Sequence, residues 1–290
     1  MSTVKASDSV KAAFDFSVDK FPLAGPDGMT TPWYGLFRSD NGCVVGNGSV
    51  TDRYVPHSPD DVMALTEAVD SIFDGEVQAD CHFRNGHYVN IVPSSSYRRS
   101  IFNQRDNVFP RIMIRAGYDG RAFNATVGYY RDLCSNLAML SSVDSCHVSI
   151  RHTRSLRSKM DELIETFAEL KEGWKSLGDV ITEMNSRNVM MTDFLDAIYG
   201  QPDADSKRSV TVHRNRTEAI FRRLQKERYH SGRPEMPNNF EVSAWEAYNA
   251  IQGFAQHDST RRSGTTKFDR ILLAANDPSV QKAERLALAA

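Results

Sequence analysis

Phe109-Pro110-Arg111-Ile112-Met113-Ile114-Arg115-Ala116-Gly117-Tyr118-Asp119-Gly120-Arg121-Ala122-Phe123-Asn124-Ala125-Thr126-Val127 alternates in side-chain character on both sides of Asp119-Gly120. Asp-Gly readily takes positive φ at both central positions of a tight turn, so the stretch reads as a β-hairpin. A period of two places Arg111 and Arg115 on one face and Ile112 and Ile114 on the other. The expectation is a ribbon with one cationic side and one core side.

The same turn chemistry recurs upstream. Trp33 to Val45 folds about Asn41-Gly42, and Glu76 to Arg84 pairs with His87 to Val92 about Asn85-Gly86. Between them, Ser58-Pro59-Asp60-Asp61 offers an N-cap, a proline in the first turn and two acids, which starts a helix. Val62, Leu65, Val69 and Ile72 supply its buried stripe. Repeated hairpins with a helix between them predict an α+β fold with an antiparallel sheet, not a doubly wound one.

Beyond Cys134 the pattern turns helical. From Met160, the positions Leu163, Phe167, Leu170, Trp174, Leu177, Ile181 and Met184 alternate spacings of three and four, a heptad that predicts one long helix over about 156–186. Its flanking positions, Ile164, Thr166, Gly173, Gly178 and Val180, are apolar or small where a two-stranded coiled coil would carry Glu and Lys. That pattern predicts a multi-helix layer and a homo-oligomer built on Leu163, Phe167, Leu170, Trp174 and Leu177. A polar break at 201–206, a basic segment at 207–233, a helix carrying Trp245, Tyr248, Ile251 and Ala255, and a last helix from about Pro278 complete the chain. The expected division is a hairpin-rich domain at 1–155 and a mostly helical region at 156–290.

Charge is segregated along the 290 residues although the formal net charge is only −2. Residues 1–80 hold thirteen acids against five cations, whereas residues 95–160 hold eleven cations against four acids. Local excess of one sign is better evidence for a polyanion surface than the total. The four cysteines stand singly, without a CxxC pair, as free thiols of a reducing compartment do. No apolar run approaches the ~20 residues of a membrane span, and the N-terminus has no apolar leader. The expectation is a cytoplasmic protein without a membrane partner.

Catalytic motifs are absent from the sequence. Gly46-Asn47-Gly48 lacks the lysine of a phosphate loop and reads as a turn. Cys81, His82 and His87, and likewise Cys146, His147 and His152, lack paired zinc-ligand spacing, so neither a metal nor a cofactor is implied. Asp193 and Asp196 stand one helical turn apart on a solvated face. No nucleophile elbow or zinc-protease pattern is present, and the chain does not read as an enzyme.

The remaining signal is arginine interleaved with aromatics. Arg98, Arg99, Arg105, Arg111, Arg115, Arg121 and Arg131 surround Tyr118 and Phe123, and the charge continues into Arg151, Arg154 and Arg157. Such a mixture lets cations hold a phosphate backbone while bases meet flat rings. These twelve residues are the expected nucleic-acid site, with single-stranded DNA as the partner. The function expected is sequence-independent binding and annealing of complementary strands. The alternatives are an interaction protein of a mobile element, such as an inhibitor of host defence, or an enzyme without a recognised motif.

Tyr34-Gly35-Leu36-Phe37-Arg38-Ser39-Asp40, Tyr54-Val55-Pro56, Asp119-Gly120-Arg121-Ala122-Phe123, Tyr130 to Ala138, and Ile150-Arg151-His152-Thr153 follow one another in an order that resembles the phage- and plasmid-borne family called domain of unknown function 932. Trp245-Glu246-Ala247-Tyr248-Asn249-Ala250 and Gln256-His257 resemble that family's second block. The resemblance covers most of the chain. It implies a mobile-element protein of the bacterial cytoplasm and brings no catalytic residue with it. It also suggests a distant similarity to phage recombinases of the single-strand annealing type.

Overall fold

The computed structural model describes residues 6–72, 77–83, 86–93, 99–101, 106–118, 122–131, 137–138, 147–259, 270, 274 and 277–290. The fold is α+β with antiparallel strand pairing, as the hairpin turns predict. The chain divides into two compact units. One comprises residues 1–97, 110–127 and 147–172, the other 98–109, 128–146 and 173–290. This division does not fall at 155/156, because three long elements each pass from one unit into the other.

The first unit opens with helix α1 (Ala6–Ala13) and a sheet of β1 (Val18–Ala24), β2 (Thr30–Arg38) and β3 (Val44–Val50). Asn41-Gly42 makes the β2–β3 turn: Gly42 takes φ +69°, and the Asn41 side chain accepts from the Cys43 amide at 2.9 Å. Gly46-Asn47-Gly48 is not a turn. It lies inside β3, where the partner register jumps from Leu36↔Val45 to Tyr34↔Val50, so the three residues belong to a bulge that Gly46 enters with φ +85°.

Helix α2 (Pro59–Ile72) starts where the sequence places it. The Asp61 amide donates to Ser58 Oγ at 3.2 Å, and the Ser58 amide donates to the Asp61 carboxylate at 2.7 Å, a reciprocal box that satisfies two otherwise orphaned donors. Val62, Leu65 and Val69 are fully buried.

A second sheet follows with the order β10-β8-β7-β5-β4. Its strands are β4 (Val77–Phe83), β5 (Gly86–Pro93), β7 (Asp106–Gly117), β8 (Phe123–Arg131) and β10 (His147–Ile150). The short β6 (Arg99–Ile101) pairs with β7, and β9 (Leu137–Ala138) pairs with β8. The β7–β8 neighbours are the expected hairpin; the Asp119-Gly120 turn lies outside the described residues. Strands β7 and β8 are two of the elements that cross the division, and helix α3 (Leu156–Ser186) is the third. Its 31 residues match the heptad span, but the side chains of Leu163, Phe167, Leu170, Trp174 and Leu177 lie outside the described residues.

The second unit packs around α6 (Ala244–Gly253), every residue of which is buried. Around it stand α4 (Met191–Tyr199), α5 (Lys207–His230), α7 (Pro278–Ala289) and the small pair β11 (Asn188–Met190) and β12 (Glu241–Ser243). Trp245, Tyr248 and Ile251 join Phe194, Leu195, Ile220, Leu224, Ala283 and the α3 residues Ile181 and Met184 in one core. Every residue of helix α6 is buried, so a charged side chain on it needs an internal partner. Glu246 completes a capping box with Ser243, pairs with Arg228 at 2.8 Å and lies 3.4 Å from Arg233. Arg228 also donates twice to the Glu235 carbonyl, at 2.9 and 3.1 Å. Beyond Gly253 the helix widens into a π turn over Phe254–Asp258.

Candidate nucleic-acid interface

Strand β7 carries the hairpin arginines, and its side chains from Ile112 on are buried on both faces. Ile112, Ile114 and Ala116 have one parity, Met113 and Arg115 the other, and none is more than 3% exposed. The expected cationic face is therefore not a surface at Arg115. Sheet parity tells which residues share a side, but a side faces water only if no second layer covers it. Tyr118 marks such a layer, packing with Phe16, Val18, Leu36 and Val45 around the three-stranded sheet.

Tyr118 and Phe123 are likewise core rings, 1% and 0% exposed, and neither presents a face on which a base could stack. The Tyr118 ring stacks on the His57 imidazole with centroids 4.2 Å apart, and its hydroxyl donates to the His57 carbonyl at 3.0 Å. Burial pushes that hydroxyl well above the ordinary tyrosine range, so it stays protonated and donating. Phe123 stands edge-on to His57, and His152 is stacked on Tyr54 at 4.9 Å. His152 Nδ1 lies 3.2 Å from the Val55 carbonyl, and the Tyr54 hydroxyl donates to the Gly117 carbonyl at 3.3 Å. Tyr54-Val55-Pro56-His57, Gly117-Tyr118 and Ile150-Arg151-His152 are thus pinned together inside the first unit by rings and backbone hydrogen bonds. This is a structural knot of aromatics and imidazoles.

The other expected residues divide cleanly. Arg98, Arg105 and Arg121 lie outside the described residues, as do the side chains of Arg99, Arg111 and Arg131. Arg151 and Arg154, just before α3, and Arg157, in its first turn, are exposed. Of these, Arg157 lies 3.7 Å from Asp61, a loose surface contact.

Helix α5 holds the cationic surface that the hairpin lacks at Arg115. Ser206 caps it, its Oγ accepting from the Ser209 amide at 3.2 Å. Along its 24 residues the arginines sort by direction. Arg228 turns inward to Glu246. Arg223 makes a two-point contact with Asp258 at 2.5 and 2.8 Å, a pairing that holds the Asp258 carboxyl below its usual range. Arg216 lies on the Tyr199 ring, 4.5 Å from its centre. Lys207, Arg208, Arg214, Arg222 and Lys226 are exposed, and none makes an ion pair among the described residues, although Lys226 is near enough to Asp258 to help hold its carboxyl low. Lys207, Thr211, Arg214, Glu218, Arg222, Lys226 and Tyr229 follow at spacings of three and four, which sets them on one helix face. From Lys207 to Lys226 this face runs about 30 Å. Glu218 is its one acid, and Tyr229, 71% exposed, ends it with an open ring.

The basic composition of 207–233 signals this surface in the sequence. Composition cannot show that Arg223, Arg228 and Arg233 pair with carboxylates of the same unit and that Arg216 lies on the Tyr199 ring, while the rest line up outside.

A family model described as Domain of unknown function (DUF932) matches residues 46–275. The chain belongs to this family. The DUF932 span begins inside β3 and ends before α7, so it takes in the buried ring knot, α3, α5 and α6 together. No curated protein and no solved structure matches the chain. Among the described residues no helix is long and apolar enough to cross a membrane.

Proposed function

We propose that this DUF932 protein binds single-stranded DNA through its phosphate backbone, without sequence preference, along the outward face of α5, and promotes pairing of complementary strands held there. The observation that carries the reading is the row of exposed cations on α5, Lys207, Arg208, Arg214, Arg222 and Lys226, none of which makes an ion pair among the described residues. A rigid helix presents these charges at fixed spacing, so a flexible polyanion can follow them without readout of its bases. Tyr229 adds a ring on which any base can stack. Arg151, Arg154 and Arg157 add a second exposed cluster in the first unit.

A salt titration of oligonucleotide binding tests this. Each phosphate neutralised on a single strand contributes a log-log slope of roughly −0.7, so engagement of the five α5 cations gives about −3.5. Unrelated sequences should bind alike, and a quenched pair of complementary strands should anneal faster with the protein than without it. Absence of oligonucleotide binding at low salt overturns the reading and leaves α5 as a surface for an acidic protein partner.

A further inference from the structure

Between the end of α4 and the first three turns of α5 lies a pocket of about 450 Å³. A pocket of this size falls in the range that holds a small ligand. Among the described residues its lining includes Arg208, His213 and Arg216 and no carboxylate. Arg208, Val212 and Arg216 follow at intervals of four and so stand in one row on the helix, with Ser209 and His213 beside them. The row flanks the outward cationic face, and Arg208 belongs to both. Tyr199 forms a wall. Burial pushes its hydroxyl up to about 12 although a hydrogen bond from Ser279 draws it down, so the ring is neutral, and it holds the Arg216 guanidinium in place from one side. Gln201 also lines the pocket, with its amide nitrogen donating to Asp196 at 2.6 Å.

We propose that this pocket binds the phosphomonoester of a nucleotide and, resting on the reading of α5 as a strand-binding face, that the nucleotide is the terminal one of a bound strand. A phosphomonoester carries nearly two negative charges at neutral pH and three terminal oxygens, whereas an internal phosphodiester carries one charge and two free oxygens. Two guanidinium forks and an imidazole on one helix flank match the former. Pro202 and Val212 give the pocket an apolar edge against which a sugar or base can rest. The protein would then hold a strand along α5 and register its phosphorylated end at Arg208 and Arg216.

Fluorescence anisotropy of the full chain with internally labelled oligo-dT separates the possibilities. The strands carry a 5′-phosphate, a 3′-phosphate or hydroxyls at both ends, and thymidine 5′-monophosphate is titrated separately by calorimetry. One phosphorylated strand should bind about tenfold tighter than the hydroxyl-ended one, and Arg216→Ala or His213→Ala should bring that ratio close to one. Arg216→Lys, which keeps the charge over Tyr199, should restore part of it and guards against a folding artefact. Equal binding of all three strands overturns the terminal-phosphate assignment while leaving the α5 reading intact. If no strand binds but thymidine monophosphate does, and Arg216→Ala abolishes it, the α5 reading fails and the pocket stands as a site for free nucleotide. Loss of both overturns both.

Discussion

Strand β7 and helix α5 are both rich in arginine, yet they use it in opposite ways. In β7 the described arginine, Arg115, is 3% exposed in a strand with neighbours buried on both sides. In α5 three arginines are tied to Glu246, Asp258 and Tyr199, and the rest stand in water on one face. A central strand has two faces, and a layered fold can cover both. A helix at the surface always keeps one side free, and its period of 3.6 spreads a basic run over inside and outside alike. Arginine density alone therefore does not locate a polyanion surface; the element that carries it decides.

The largest expected effect separates the two sides of α5. Arg228→Met removes a partner from Glu246, which is 2% exposed and among the described residues keeps Arg233 at 3.4 Å and the Ser243 amide. An uncompensated buried carboxylate costs about 3 to 5 kcal/mol, and with Arg233 still near, the lower end is expected. Urea unfolding should show it as a fall in midpoint.

Next comes the hairpin. Arg115→Ala empties buried volume and strips a buried polar group from its surroundings, so about 2 to 3 kcal/mol of stability should be lost. Tyr118→Phe, which leaves the His57 carbonyl without that donor, should cost about 1 kcal/mol. Both variants should bind oligonucleotides as the parent does at a temperature where they are folded. A folded Arg115→Ala protein of unchanged melting temperature and weakened DNA binding would break the comparison and return the site to the hairpin.

The smallest stability effect belongs to the exposed charges. Arg214→Ala combined with Arg222→Ala should change stability by no more than about 0.5 kcal/mol and lower the magnitude of the salt slope by about 1.4. An unaltered slope would show that the outward face of α5 is not where phosphate is held.

Much of the architecture was legible locally because its causes are local. Asn41-Gly42 supplies the positive φ that its turn needs, Ser58 and Asp61 cap α2 from within four residues, and the spacing from Met160 to Met184 specifies a helix of the observed length. The Gly46-Asn47-Gly48 bulge was not legible, since glycine permits a turn and a bulge equally and the pairing with β2 selects between them. The candidate site was legible only as a charge excess.

By itself the sequence determined the α+β class, the hairpins, the long helix and the basic character of 207–233, since turn preference, capping and hydrophobic period act within a few residues. The tertiary structure alone decided that Arg115, Tyr118 and Phe123 are interior and that five α5 cations are not. Whether a face meets water depends on which distant layer covers it. The residues that cover Tyr118, among them Phe16, Leu36 and Val45, lie more than seventy positions away along the chain.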